Sequence, residues 1–282
     1  MNTFERLMDD IADIAARTIH TEEGDYLDEE GFLVCGKCNT RKEVMIPFPR
    51  QRKVPCMCEC KSAEYNAREK AEADRQKDLK LKELREEAFP DRTFDDCTFQ
   101  VDDSPECQIS KTARKYVEHF EKMYEDGKGL VFFGDLGTGK TFYAGCIANA
   151  LMEQGRPVLV TNFSRLSNTL FGMKEGRQEY LDRLNRYHLL VIDDYASERE
   201  SEWMTEIIYS VIDNRYRAGL PVIVTTNLSR DQLKDKSDIR TARILSRLYE
   251  MCIFLHSDGK DRRTRANNEA NREYKDLLGL PD

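Results

Sequence analysis

Between Gly134 and Thr141 the chain reads Gly134-Asp135-Leu136-Gly137-Thr138-Gly139-Lys140-Thr141. The apolar run Leu130-Val131-Phe132-Phe133 comes directly before it, and a helical pattern opens directly after it at Phe142. This is the pattern G-x-x-x-x-G-K-S/T in the context it requires, a strand before and a helix after. Glycine tolerates positive φ and close backbone approach, so successive N–H groups can surround phosphate oxygens at the positive end of a helix. In such a loop Lys140 reaches the β- and γ-phosphates, and the Thr141 hydroxyl sits on Mg²⁺.

At 282 residues the chain holds room for one α/β domain and a smaller module. Apolar residues make up 40% of it, enough for a buried core, and charged residues 34%, which implies long solvated helices. A net charge of −8 argues against indiscriminate coating of nucleic acid, which rests on Lys and Arg neutralising phosphates. No apolar run approaches the about 20 residues that span a bilayer. The first residues are acidic where a signal peptide is basic, so a cytoplasmic protein without membrane contact is expected.

Five of the nine cysteines fall between Cys35 and Cys60, while Cys97, Cys107, Cys146 and Cys252 are scattered and read as small buried or indifferent residues. Cys35-Gly-Lys-Cys38 followed by Cys56-Met-Cys58-Glu-Cys60 supplies a C-x-x-C knuckle and a C-x-C at zinc-ribbon distance. Tetrahedral zinc takes four thiolates and five are present. Cys35, Cys38, Cys56 and Cys58 are the expected ligands, with Cys60 as the substitute. Arg41, Lys42, Arg50, Arg52 and Lys53 lie between the knuckles, either touching nucleic acid or solvating the module.

Upstream, Phe4, Leu7, Met8, Ile11, Ile14 and Ala15 form one apolar stripe at helical spacing, for packing within the chain or for docking a partner. Downstream, residues 61–88 are charged and free of Gly and Pro, a connecting helix ended by Pro90. The expected division is therefore 1–60 for the N-terminal helix and zinc module, 61–88 for the linker, and 89–282 for the nucleotide domain. Within that domain a helix is expected around Thr112 to Tyr124. Strands are expected at Leu130 to Phe133, Pro157 to Thr161, Leu189 to Asp193, Pro221 to Thr226 and Met251 to Leu255, with helices between them, including Glu202 to Arg217. Five short buried strands alternating with helices imply a parallel sheet covered on both faces.

Leu189-Leu-Val-Ile-Asp193-Asp194 is an apolar strand ending in two acids, the form of a Walker B element. Asp193 is expected to hold Mg²⁺ near Thr141, and Asp194 to orient or deprotonate the attacking water. The strand ending Val224-Thr225-Thr226-Asn227 places Asn227 at the same sheet edge, as a sensor of the water or γ-phosphate. On the helix before the last strand, Arg247 is the first candidate for an arginine finger and Arg243 the second; a surface pair between Arg247 and Glu250 is the alternative. The segment Asn162 to Gly176, with Arg165, Phe171 and Lys174, is a candidate DNA-contacting region or an ordinary helix and turn.

These elements in this order resemble the AAA+ ATPases, and in detail the DnaC/DnaI type of replicative helicase loader. The resemblance rests on the cysteine module, Gly134 to Thr141, Asp193-Asp194, Ser201-Glu202-Trp203, Asn214-Arg215-Tyr216, Gly219-Leu220-Pro221, Thr225-Thr226-Asn227-Leu228 and Ser246-Arg247-Leu248. IstB-type transposition helper ATPases look very similar over the ATPase part. The resemblance implies an AAA+ P-loop domain that binds ATP and Mg²⁺ and associates with copies of itself, Arg247 completing a neighbour's site. It also implies an N-terminal module gripping a hexameric replicative helicase, contact with single-stranded DNA, and an ATPase stimulated by DNA or partner. Where many AAA+ proteins carry Glu, this chain carries Asp194. The short stretch after the last strand leaves no room for a full helical lid and so no clear sensor 2 arginine; Arg262, Arg263 and Arg265 are candidates for γ-phosphate or DNA contacts. The expected function is ATP-dependent helicase loading; the alternatives are a DNA-binding transposition helper that recruits a transposase, and a nucleotide-gated adaptor.

Overall fold

The computed structural model describes residues 21–47, 51–89, 94–173, 175–195, 202–235, 237–258, 274, 277 and 278. The amphipathic stripe at residues 4–15, Arg50, Lys174 and Arg262, Arg263 and Arg265 lie outside them. The chain divides into two compact units, one ending at Asp78 and one beginning at Leu79. The division falls ten residues earlier than the expected 88/89 boundary. The reason is packing: Ala88 is fully buried in the second unit's core and Leu81 and Leu84 pack against it.

The first unit contains two short antiparallel pairs, β1 (Tyr26–Leu27) with β2 (Leu33–Val34), and β3 (Glu43–Ile46) with β4 (Arg52–Pro55). Helix α1 (Glu59–Ala88) follows. Two cations approach the Phe32 ring, the Arg41 guanidinium and the Lys53 ammonium, each 4.3 Å from its centroid. Arg41 also pairs with Asp28 and Glu30, and Lys42 with Asp25. Three of the basic residues between the knuckles thus hold the module together.

The second unit carries α2 (Gln108–Glu118), α3 (Phe120–Glu125), β5 (Gly129–Phe133), α4 (Lys140–Glu153), β6 (Val158–Asn162), α5 (Phe163–Gly172) and α6 (Arg177–Leu184). Then come β7 (Leu189–Tyr195), α7 (Glu202–Arg217), β8 (Val222–Thr226), α8 (Arg230–Lys234), α9 (Ile239–Met251) and β9 (Cys252–His256). The one helix expected at 112–124 is two, parted at His119.

All five of these strands are parallel, in the order β6-β7-β8-β5-β9. Side chains alternate across each strand. Leu130, Phe132, Val158, Val160, Leu189, Val191 and Ile223 enter one core with α2 and α4. Val131, Phe133, Leu190, Ile192, Val222 and Val224 enter a second core with α5, α7 and α9. The expected five-stranded parallel sheet between helices is thereby present, and β8 lies between the phosphate-loop strand and β7, the strand that carries the two aspartates. Among the described residues no helix is long and apolar enough to cross a membrane.

Candidate functional site

The loop after β5 turns through three glycines of positive φ, Gly134 at 123°, Gly137 at 73° and Gly139 at 96°. A side chain at any of the three would be strained. Gly139 caps α4, so Lys140 and Thr141 stand in its first turn, at the positive end of the helix. The Lys140 ammonium is buried and donates to the carbonyls of Gly134 at 2.8 Å and Asp135 at 2.6 Å. Thr138 donates to Asp135 O at 2.9 Å.

Ser257, just beyond β9, braces this loop. Its N–H donates to Phe133 O at 2.8 Å and its hydroxyl to Thr138 O at 3.2 Å. Sequence reasoning did not single it out, because a serine after the last strand carries no motif.

Across the sheet edge, the Thr141 hydroxyl donates to Asp193 Oδ1 at 2.8 Å. Thr141 and Asp193 thus stand side by side, and a hydroxyl beside a carboxylate is a hard-oxygen donor set that fits Mg²⁺. Asp194 follows with φ of 56°, left-handed for a non-glycine residue, and is exposed. Its N–H donates to Thr225 Oγ1 at 2.9 Å, and that same hydroxyl donates to Asp193 Oδ1 at 2.5 Å. Thr225 thus touches both aspartates, a contact that its place in the Val224-Thr225-Thr226-Asn227 strand end does not itself announce. Asn227 lies just past β8, half-buried at the same edge.

The two candidate fingers sit on α9 and are engaged within the chain. Arg247 Nε donates to Asp213 Oδ1 at 3.2 Å, its guanidinium lies 4.3 Å from the Tyr216 ring, and Nη1 is 3.9 Å from Glu250. Burial works against its charge, and Asp213 favours it. Arg243 lies 4.1 Å from the Tyr209 ring. In the candidate DNA region, residues 163–172 form a helix whose exposed Phe171 meets Trp203 edge-on at 5.0 Å.

In the first unit the ligand atoms of Cys35, Cys38, Cys58 and Cys60 lie within 4.8 Å of one another. This corrects the expected set: Cys60 belongs and Cys56 does not. β4 ends at Pro55 and α1 begins at Glu59, so the chain turns within the C-x-C and the first helical turn brings Cys60 beside Cys58, with 3.3 Å between sulfurs. Cys56 is exposed, its thiol against Arg41 O at 3.5 Å. The Thr40 hydroxyl and backbone N–H groups hold the Cys38 thiol well below its ordinary range, while the other three thiols push Cys60 up. Four crowded thiols of this kind fit zinc.

The knuckle is positioned by Asp25, which accepts from Gly36 N at 3.1 Å and from Lys42 Nζ at 2.5 Å. A Cβ on Gly36 would stand 2.0 Å from Gly24 O, so only glycine fits there.

A family profile described as IstB-like ATP binding protein matches residues 64–270. The replicative helicase loader DnaI of Bacillus subtilis (strain 168) is 30% identical over 217 residues, 71% of this chain and 68% of that protein. The replicative helicase loader DnaC of Escherichia coli (strain K12) is 29% identical over 144 residues, 49% of this chain and 58% of that protein, so the chain spans less than two thirds of DnaC. The crystal structure of DnaI covers 62% of this chain and 95% of its own at a TM-score of 0.52 and 24% identity, a likeness of fold. The crystal structure of the DnaC helicase loader covers 60% of this chain and all of its own at a TM-score of 0.50 and 27% identity. A P-loop whose Thr141 meets Asp193, on a five-stranded parallel sheet matched by these proteins, places the chain in the family of IstB-like ATP-binding AAA+ proteins, homologous to DnaI and DnaC.

Proposed function

We propose that this protein is an ATP-dependent loader that delivers a hexameric replicative helicase to single-stranded DNA and leaves after hydrolysis. The observation that carries the ATPase part is the 2.8 Å contact of Thr141 with Asp193 beside a phosphate loop. The loading part is supported by similarity to two named loaders, DnaI and DnaC.

In this reading Lys140 and the loop N–H groups bind the phosphates, Thr141 and Asp193 hold Mg²⁺, Asp194 directs water and Asn227 senses the γ-phosphate. Arg247 completes the site of a neighbouring copy. Cys35, Cys38, Cys58 and Cys60 hold a structural zinc, and the first unit grips the helicase, for which its exposed Tyr26, Leu27, Val44, Met45 and Met57 are suited. Phe171 and Trp203 offer aromatic faces on which bases of a single strand can stack. Action in the cytoplasm follows from the same role.

The family description favours one competing reading, a transposition helper that binds DNA and recruits a transposase. Affinity capture from the native host, with ATP and with Lys140→Ala, separates the two. Recovery of a replicative helicase that depends on Lys140 is the expected result. Recovery of a transposase, or of DNA without helicase, overturns the loader reading and leaves the ATP site standing.

A further inference from the structure

Asp193 and Asp194 do not continue a regular strand. In the pairing of β7 with β8, Ile192 stands opposite Val224 and Tyr195 opposite Thr226. Two residues of β7, Asp193 and Asp194, thus face one residue of β8, Thr225. That count is a β-bulge, a device that re-aims side chains and recurs beside active sites. Asp194 takes the left-handed conformation here, and such backbone persists only where its surroundings enforce it.

One hydroxyl touches both aspartates of the bulge. Thr225 is fully buried, its Oγ1 donates its single proton to Asp193 Oδ1 and accepts the Asp194 N–H. Thr226 closes the other end of the bulge, donating to Tyr195 O at 2.7 Å and accepting from Leu228 N at 3.2 Å. The other β8 residues, Val222, Ile223 and Val224, are apolar and fill core. A methyl group would fill the space at Thr225 equally well, so packing alone does not call for the hydroxyl.

We propose that Thr225 is the positioning residue of the ATP site: its hydroxyl clips the bulge so that Asp193 stands at Thr141 for the magnesium ion while Asp194 turns out toward the attacking water. This rests on the ATPase reading above. The two aspartates are adjacent in sequence, and on a regular strand they would point to opposite faces of the sheet. The bulge lets both serve one edge, and Thr225 defines it from the strand adjoining the phosphate-loop strand, where it pairs with Phe132.

The test compares the whole protein with Thr225→Val, nearly the same shape without the hydroxyl, and with Thr225→Ser, which keeps it. ATP affinity is measured in EDTA and in Mg²⁺, together with kcat, KM and thermal midpoint. Thr225→Val is expected to bind ATP in EDTA like the parent, to lose most of the affinity that Mg²⁺ adds with KM for ATP rising to match, and to lose about 10–100-fold in kcat. Thr225→Ser is expected to restore most of both. Should Thr225→Val not fold, Thr225→Cys, a weak donor of similar size, carries the same comparison. A folded Thr225→Val with parental magnesium response and turnover overturns the proposal, as does a Thr225→Ser no better than the valine variant. If the parent itself turns over no ATP, the ATPase reading fails, and the magnesium-dependent affinities alone still decide the role of Thr225.

Discussion

Arg247 donates to Asp213, 34 residues away on α7, while its guanidinium faces Tyr216 on the same helix. Asp213 also pairs with Arg217 at 2.7 Å, so one carboxylate serves two arginines. For Arg247 to reach a neighbouring copy's γ-phosphate it has to leave a buried carboxylate, which keeps Arg217 as its partner when Arg247 departs.

Arg247→Ala is therefore expected to keep ATP binding and to lose about 10³-fold or more in hydrolysis, the range of arginines supplied in trans. Mixing it with Lys140→Ala, which lacks a working phosphate loop but keeps the finger, is expected to recover part of the turnover. Steady-state ATPase assays of each variant and of the mixture check this. Parental turnover by Arg247→Ala would move the finger to another residue, Arg243 being next.

What the sequence made legible was what depends on near neighbours. The phosphate loop, the five strands and the pairing of Thr141 with Asp193 follow from local patterns whose physics requires a particular edge of a particular sheet. Partners set by tertiary contact were not legible. Glu250, three residues from Arg247, was visible as its mate, whereas Asp213 and Tyr216 depend on how α9 packs against α7. The choice between Cys56 and Cys60 depends on the residue at which β4 gives way to α1, a boundary that composition fixes poorly. Thr225 reads as strand filler until the bulge opposite it is seen.

The cysteine cluster yields a pattern that only one ligand set can produce. About one zinc per chain is expected, as four thiolates close one tetrahedral site. Cys35→Ser, Cys38→Ser, Cys58→Ser and Cys60→Ser are each expected to lose it, and Cys56→Ser to retain it. Metal analysis of the purified proteins decides; loss of zinc from Cys56→Ser with retention by Cys60→Ser would restore the set first expected from spacing.

Arg215 is a buried charge with no carboxylate among its hydrogen-bond partners in the described residues. Its guanidinium donates through Nη1 to Leu184 O at 3.2 Å and Tyr187 O at 2.9 Å, and through Nη2 to His188 O at 3.3 Å and Pro221 O at 2.7 Å. Burial draws its pKa down to about 10, which leaves it charged at neutral pH. It thereby ties the turn before β7 to the residue before β8, the two strands that carry Asp193 and Thr225. Arg215→Met is expected to strand these carbonyls and to cost about 3 kcal/mol or more, since one unsatisfied buried group alone costs about 1–3 kcal/mol. Arg215→Lys should recover little, because one ammonium cannot reproduce a planar fork serving four acceptors. Urea midpoints measure both, and a shift within error for Arg215→Met would show the carbonyls find water instead.

His188 gives the pH dependence its sign at the same turn. Burial first, and then the nearby Arg156 charge, hold its imidazole below the ordinary value of 6.5. Its ring lies 4.8 Å from that of Tyr124, and Nδ1 is buried with no hydrogen-bond partner among the described residues, so a second ring proton has nowhere to donate. The unfolded chain therefore takes up this proton first on acidification. Below about pH 6.5 it binds more protons than the folded one, and stability falls as pH drops. His188→Phe keeps a ring beside Tyr124 and removes the titration. Thermal midpoints between about pH 7.5 and 5.5 are expected to fall further for the parent than for His188→Phe, while acid effects at the cysteines and carboxylates enter both alike. Equal losses would mean that His188 gains its proton as readily folded as unfolded.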